Sequence, residues 1–125
     1  MAEKIGRFEL VSQLAQSPFA TVYKANDAEA QQTVALKVVS LDRITDRSAL
    51  TKTVFEEAER AKSLGSHNIA GLFGVGDEGD LLLAAAEYIQ GNSVATTLAR
   101  HEGFSIWDLQ DIARQVCQAL DHAQV

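Results

Sequence analysis

The sequence predicts an α+β fold: a five-stranded antiparallel sheet with one main helix packed on it, followed by C-terminal helices. Three observations favour this class. Runs rich in β-branched and aromatic residues lie between turn residues before residue 40, residues 48–64 have the apolar period of a helix, and residues 105–124 repeat that period. The 125 residues are enough for one domain with a core of its own.

Two short strands begin the predicted sheet. Residues 8–14 form the first, and the run FATVYKA at 19–25 forms the second, because Phe, Thr, Val and Tyr suit a pleated surface. The turn between them contains Pro18, and a polar turn at 26–32 leads into a third strand. These three strands are expected to form an antiparallel meander.

The third strand, TVALKVV at 33–39, is apolar on both faces apart from one residue, Lys37. Such a run is typical of a strand that is buried on both sides. Because a buried, unpaired ammonium group is very costly, Lys37 requires either a carboxylate or an anionic ligand nearby.

The next element supplies a carboxylate in the same unusual kind of position. One face of a helix is defined by four apolar residues at steps of 4, 7 and 3: Leu50, Val54, Ala61 and Leu64. The position omitted from this series is Glu57, which therefore falls on the face turned toward the core. We expect Glu57 to pair with Lys37. The alternative is that Lys37 extends into solvent from a strand end while Glu57 lies on the flank of the helix.

Capping residues define the predicted ends of this helix. Ser48 is a suitable N-cap, although Thr53 and Glu56 also have the spacing of a capping box, so the start is open between them. Gly65 is expected to end the helix, as glycine commonly does.

Two further strands complete the predicted sheet. Residues 71–76 form the fourth and a turn at 77–80 follows. The run LLLAAAEY at 81–88 is equally compatible with a helix by propensity, and the preceding turn favours a fifth strand.

Two helices follow the sheet. Asn92 or Ser93 caps a short helix that ends at Arg100. Ser105 and Asp108 form the capping box of the last helix. Its apolar residues then recur at helical spacing: Leu109, Ile112, Ala113, Val116, Cys117 and Leu120.

Composition argues against several functional classes. With a net charge of −6 and no basic stripe, the chain is not expected to bind nucleic acid. The single cysteine, Cys117, can form no internal disulfide and has no neighbour at metal-ligand spacing, so no metal site is expected. The sequence has no signal-peptide core and no apolar stretch of about 18–20 residues, which favours a cytoplasmic location and leaves open a membrane anchor outside this chain.

Four segments occur in a characteristic order: VALKVV, FEEAERAKSL, SHNIAGLFGVG and AAAEYIQGNS. Together they resemble the N-terminal lobe of the protein kinases, in particular the bacterial serine/threonine type. The resemblance implies a nucleotide-binding lobe over 1–90, then a short helix and the first helix of the C-terminal lobe over 91–125, with the remainder of that lobe absent. It also makes Lys37 the catalytic lysine that touches the nucleotide phosphates and Glu57 the glutamate that holds it.

The resemblance assigns the phosphate-covering loop to the first turn. Its three glycine positions hold Ala15, Ser17 and Ala20, and the valine that follows them in the family is Val22. A Cβ hinders both positive φ and close approach of backbone to ligand, and Pro18 removes an N–H donor. We therefore expect only weak contact with phosphate.

The resemblance also places adenine beside the end of the fifth strand. Ala86 takes the gatekeeper position, Glu87 offers its carbonyl oxygen and Ile89 offers its N–H group. The residues that would cover the ring or line its mouth are apolar: Val22, Ala35 and Leu14. Judged without the family register, these apolar residues are ordinary core.

The implied function is that of the ATP-binding lobe of a serine/threonine protein kinase, whose intact parent transfers the γ-phosphoryl group of ATP to a protein substrate. The sequence contains no H-R-D or D-F-G segment, so this chain alone is predicted to be inactive, with weak ATP binding and with Mg expected only in an intact parent. A pseudokinase-type scaffold module is the alternative, and a small α+β interaction domain with a fortuitous resemblance is a third. Residues 105–124 are expected to fold back on the sheet or to self-associate.

Overall fold

The computed structural model describes residues 3–42 and 44–124. In these ranges the chain forms six strands and three helices, in this order: β1 (Lys4–Ile5), β2 (Phe8–Gln16), β3 (Ala20–Asp27), β4 (Gln32–Ser40), α1 (Arg47–Lys62), β5 (Leu72–Glu78), β6 (Leu81–Glu87), α2 (Val94–Ala99) and α3 (Ile106–Ala123). The predicted α+β class is confirmed, and each of the five predicted strands is present.

All strands belong to one antiparallel sheet with the order β1-β2-β3-β4-β6-β5. The sixth strand, which the prediction missed, is the two-residue β1. It pairs with the start of β2 through a turn at Gly6, whose φ of +56° favours glycine. The sheet curls until its edges approach, since Glu78 Oε2 on β5 lies 3.0 Å from the point where a Cβ on Gly6 would stand.

The core fills the inner side of the curled sheet. Alternate residues of β4 point there, and Val34 and Leu36 are fully buried. They pack with four other buried residues of the sheet: Phe8, Ala25, Leu83 and Ala85. The intervening β4 residues face the opposite side, where Lys37 is exposed. The prediction that this strand is buried on both faces is therefore wrong at Lys37.

The helix α1 packs against β5. Its N-cap is Asp46, whose carboxylate accepts the Ala49 N–H at 3.0 Å, so the predicted caps at Ser48 and Thr53 are wrong. Arg47 contributes a second attachment through an ion pair with Asp80 at 2.6 Å, in the turn between β5 and β6. Together these contacts start the helix just before the predicted position.

The two later helices begin where the sequence predicts. Ser93 caps α2 by accepting the Thr96 N–H at 3.0 Å. Ser105 and Asp108 form the predicted capping box of α3, with hydrogen bonds of 3.1 and 3.3 Å. Both caps are local features of a few residues, which is why the sequence defines them well.

Within the described residues, α3 does not pack extensively on the sheet. It contacts the segment after α1 instead, where Asn68 Nδ2 donates to Gln118 Oε1 at 3.2 Å and His122 contacts the Leu64 carbonyl oxygen. Several apolar side chains of α3 stay exposed: Ile106, Trp107, Leu109, Val116 and Leu120. The expectation that this helix folds back on the sheet is wrong, and self-association stays a prediction.

One buried carboxylate links two turns at the same end of the sheet. Asp27 is only 2% exposed and accepts the N–H groups of Glu29 and Ala30 at 3.0 and 3.1 Å. Its other oxygen receives the Arg7 guanidinium at 2.7 Å. Burial alone would raise the pKa of the Asp27 carboxyl, but these donors together outweigh it, so the pKa is lowered.

Candidate functional site

The candidate site lies on the outer face of the sheet, opposite the core. Lys37 stands there with Val22 on one neighbouring strand and Ala84 on the other. Ala35, two residues earlier on β4, is paired with Ala86 of β6 and shares this face. The strand register therefore brings together four of the predicted site residues, namely Val22, Ala35, Lys37 and Ala86.

The predicted ion pair between Lys37 and Glu57 is wrong for this structure. No ion pair found in ranges 3–42 and 44–124 includes Lys37. The Glu57 side chain is 65% exposed and pairs with Arg60 of the same helix. The position that faces the sheet is taken by Ala58, the buried residue of α1.

The physical reason is an ambiguity in the phase of the helix. Residues 57 and 58 are separated by about 100° around the helix axis. Each lies three or four residues from the apolar positions 54 and 61, so the apolar series is compatible with either residue on the inward face. An exposed pair between Glu57 and Arg60 needs no desolvation, whereas a buried pair with Lys37 would. With Ala58 rather than Glu57 between the helix and the sheet, both Glu57 and Lys37 stay hydrated.

A second lysine on this face was missed by the sequence analysis. Lys24 of β3 is paired with Ala35, and its ammonium group lies 4.9 Å from the centroid of the Tyr88 ring. This distance is within the range of a cation–π interaction. The alternation of side chains along β3 would have placed Lys24 on the same face as Val22, but the contact with Tyr88 depends on tertiary structure.

The β2–β3 turn uses its own hydrogen-bonding groups. The Ser17 N–H donates to the Ala20 carbonyl at 2.8 Å, and the Ala20 N–H donates to Ser17 Oγ at 3.2 Å. Pro18 has no N–H. Within the described turn, only the N–H of Phe19 takes part in neither of these hydrogen bonds. Phe19 lies at the tip of the turn and is 78% exposed. A turn of this kind offers few backbone donors to an anion.

The remaining predicted residues lie on β2 and around the end of β6. Ala15 is paired with Val22, and Leu14, in the irregular part of β2, is exposed. At the end of β6, the Glu87 N–H donates to the Gly71 carbonyl at 2.7 Å, and its carboxylate accepts the Gly71 N–H at 3.0 Å. Ile89 is exposed just beyond.

The described part of the chain has neither a candidate metal cluster nor a helix that could span a membrane. No group of three or more His, Cys, Asp or Glu side chains in it is arranged to hold a metal ion. None of its helices has the length and apolar character needed to span a bilayer.

The curled antiparallel sheet, the helix after β4 and the lysine on β4 are the features of a protein kinase N-terminal lobe. Comparison with known families agrees, because the protein kinase domain model matches residues 8–124. The chain therefore belongs to the protein kinase family.

Several serine/threonine kinases are similar to this chain. Serine/threonine-protein kinase PrkC of Bacillus subtilis is 25% identical over 118 residues, which cover 94% of this chain and 18% of that protein. Serine/threonine-protein kinase ppk11 of Schizosaccharomyces pombe is 32% identical over 107 residues, covering 86% and 33%. Probable serine/threonine-protein kinase pknA2 of Bifidobacterium longum is 28% identical over 118 residues, covering 93% and 15%. The chain thus spans at most a third of the length of these relatives.

Proposed function

We propose that this chain is the nucleotide-binding lobe of a cytoplasmic serine/threonine protein kinase, and that ATP binds on the outer face of the sheet. The observation that carries the proposal is the strand register, which sets Val22, Ala35 and Ala86 beside Lys37 on that face. Small apolar side chains leave room for a planar ring, and the nearby ammonium group attracts phosphate.

The proposed roles follow from these positions. The adenine ring would lie against Val22 and Ala35, with Ala86 leaving space behind it and the backbone of Glu87 and Ile89 at its edge. Lys37, which has no ion-pair partner in the described chain, would contact the phosphates. In an intact parent, Mg and a protein substrate would join this site.

Glu57 requires a rearrangement before it can hold Lys37. It would have to leave Arg60 and turn inward, which displaces Ala58 from the helix–sheet contact. The resemblance to kinases supports such a movement, because positioning of this helix controls the lysine–glutamate pair in the family.

A second candidate is a binding or scaffold module without phosphoryl transfer. The observation in its favour is the β2–β3 turn, where the Ser17 and Ala20 N–H groups are engaged and Pro18 has none. Such a module would keep the fold for contacts with another protein, and it would bind nucleotide weakly or not at all.

Titration calorimetry with ATP, with and without Mg, tests the two candidates. Measurable ATP binding that Lys37→Ala weakens by up to about fivefold supports the nucleotide-binding lobe, since an exposed charge pair contributes about 0.2–1 kcal/mol. Lys52→Ala is the matched control, because it removes an exposed lysine from α1. ATP affinity that both variants leave unchanged, or no ATP binding at millimolar concentration, would contradict the first candidate.

A further inference from the structure

Beyond its irregular start at Phe73, the edge strand β5 contributes no apolar side chain to the interior of the curled sheet. Gly74 is paired with Ala85, and Gly76 with Leu83, and both partners belong to the core. Because side chains alternate along a strand, positions 74, 76 and 78 of β5 point inward. The first two are glycine and the third is Glu78.

The missing side chains leave a cavity of about 360 Å³ between β5 and the turn after β1. Its apolar wall is formed by Phe8, Phe73, Leu83 and Ala85. A Cβ at either Gly74 or Gly76 would meet nothing within 4 Å. The cavity is partly open to solvent, and its volume falls in the range of small-molecule sites.

The mouth of the cavity carries excess negative charge. Arg7 borders it, but its guanidinium is already paired with Asp27 at 2.7 Å and with Glu29 at 2.6 Å. Asp77 and Glu78 border it as well, and within the described residues neither carboxylate forms an ion pair. A ligand with a cationic end would therefore be favoured over a neutral or anionic one.

We propose that this cavity binds a flat aromatic ligand that carries a primary ammonium group. The ring packs against Phe8 and Leu83, and the ammonium group pairs with Glu78 at the mouth. The wall residues Leu83 and Ala85 face the side opposite to Lys37, whose neighbour on β6 is Ala84. The cavity is therefore separate from the proposed nucleotide site and does not depend on it.

Three probes with one ring and different charges test the proposal: tryptamine, indole and indole-3-acetate. In saturation-transfer NMR and calorimetry, tryptamine should bind about three- to fivefold more tightly than indole, and indole-3-acetate more weakly than both, as expected for one exposed charge pair. Glu78→Gln should reduce the preference for tryptamine over indole, with Asp77 as the remaining carboxylate at the mouth, while leaving indole binding unchanged. Excess adenosine should not displace tryptamine.

Gly76→Val tests the position of the ligand. The new side chain enters the open space, so tryptamine affinity should fall at least about tenfold. Gly103→Val is the matched control, because it makes the same substitution in open space at a glycine that does not line the cavity. Should the valine variant not fold, Gly76→Ala together with Glu78→Gln serves the same purpose. No tryptamine binding to the natural chain, equal binding to Gly76→Val, or displacement by adenosine would overturn the proposal.

Discussion

ATP should bind this chain no more than about fivefold more tightly than adenosine does. A hydrogen bond from a backbone N–H to a charged phosphate contributes about 1.5–3 kcal/mol. In the β2–β3 turn, the Ser17 and Ala20 N–H groups are already engaged and Pro18 has none. If the N–H of Phe19, at the exposed tip of the turn, makes no contact with phosphate, only the exposed Lys37 remains, and such a charge pair contributes at most about 1 kcal/mol, or about fivefold.

The perturbation that tests this reasoning is the double substitution Ser17→Gly and Pro18→Gly. It frees the Ala20 N–H from Ser17 Oγ and restores the missing donor at position 18. If one net hydrogen bond of at least about 1.5 kcal/mol forms to phosphate, the ratio of ATP to adenosine affinity should rise at least about tenfold. Calorimetry with both ligands measures that ratio directly.

The control for added flexibility is Ala28→Gly, which places a glycine in the neighbouring turn between β3 and β4. It should leave the affinity ratio unchanged. A natural chain that binds ATP more than about a hundredfold more tightly than adenosine would refute the reasoning. So would a double variant whose ratio matches that of the natural chain.

Three further predictions concern stability and assembly. Asp46→Ala should lower the free energy of unfolding by about 1 kcal/mol in urea titration, and Ser48→Ala by less than about 0.5; equal losses would contradict the observed cap. Asp27→Asn should cost about 1.5–3 kcal/mol at neutral pH, because it removes the charge that Arg7 contacts. Since folding lowers the pKa of Asp27, its contribution to the free energy of unfolding is complete above the unfolded pKa of about 3.9 and disappears as the pH falls through the folded pKa. A stability difference between the natural chain and Asp27→Asn that does not change with pH would contradict this. If the exposed face of α3 mediates self-association, Leu120→Asp should abolish a dimer in sedimentation equilibrium, whereas a natural chain that is monomeric at all concentrations would exclude it.

Local signals made most of the fold predictable. The caps at Ser93 and Ser105 and the apolar run that forms β4 each depend on a few neighbouring residues. The two-residue strand β1 has no such signal, because it is recognisable as a strand only by its pairing with Phe8 and Glu9. That pairing depends on the left-handed conformation of Gly6, which a lone glycine in a sequence does not reveal.

The candidate site was grouped by the resemblance rather than by any register predicted from the residues. Lys37, Ala35 and Ala86 share one face of the sheet, since strand pairing fixes which residues share a face. The role of Asp27 was missed, although an aspartate at the start of a turn commonly accepts backbone N–H groups two and three residues on. Its burial depends on Arg7, which is distant in sequence and reaches it only through the tertiary fold.

The phase of α1 is the feature that the sequence could not decide. An apolar series at 50, 54, 61 and 64 accepts either Glu57 or Ala58 at the inward position. The exposed pair of Glu57 with Arg60 contributes only about 0.3–0.5 kcal/mol, so what holds Glu57 outside is mainly the desolvation that an inward position requires and the packing of Ala58. An anion bound to Lys37 would change the net charge near Glu57 when the Glu57 side chain faces inward. The same pattern of residues is thus compatible with two helix orientations, and membership of the kinase family does not depend on which of them is populated without a ligand.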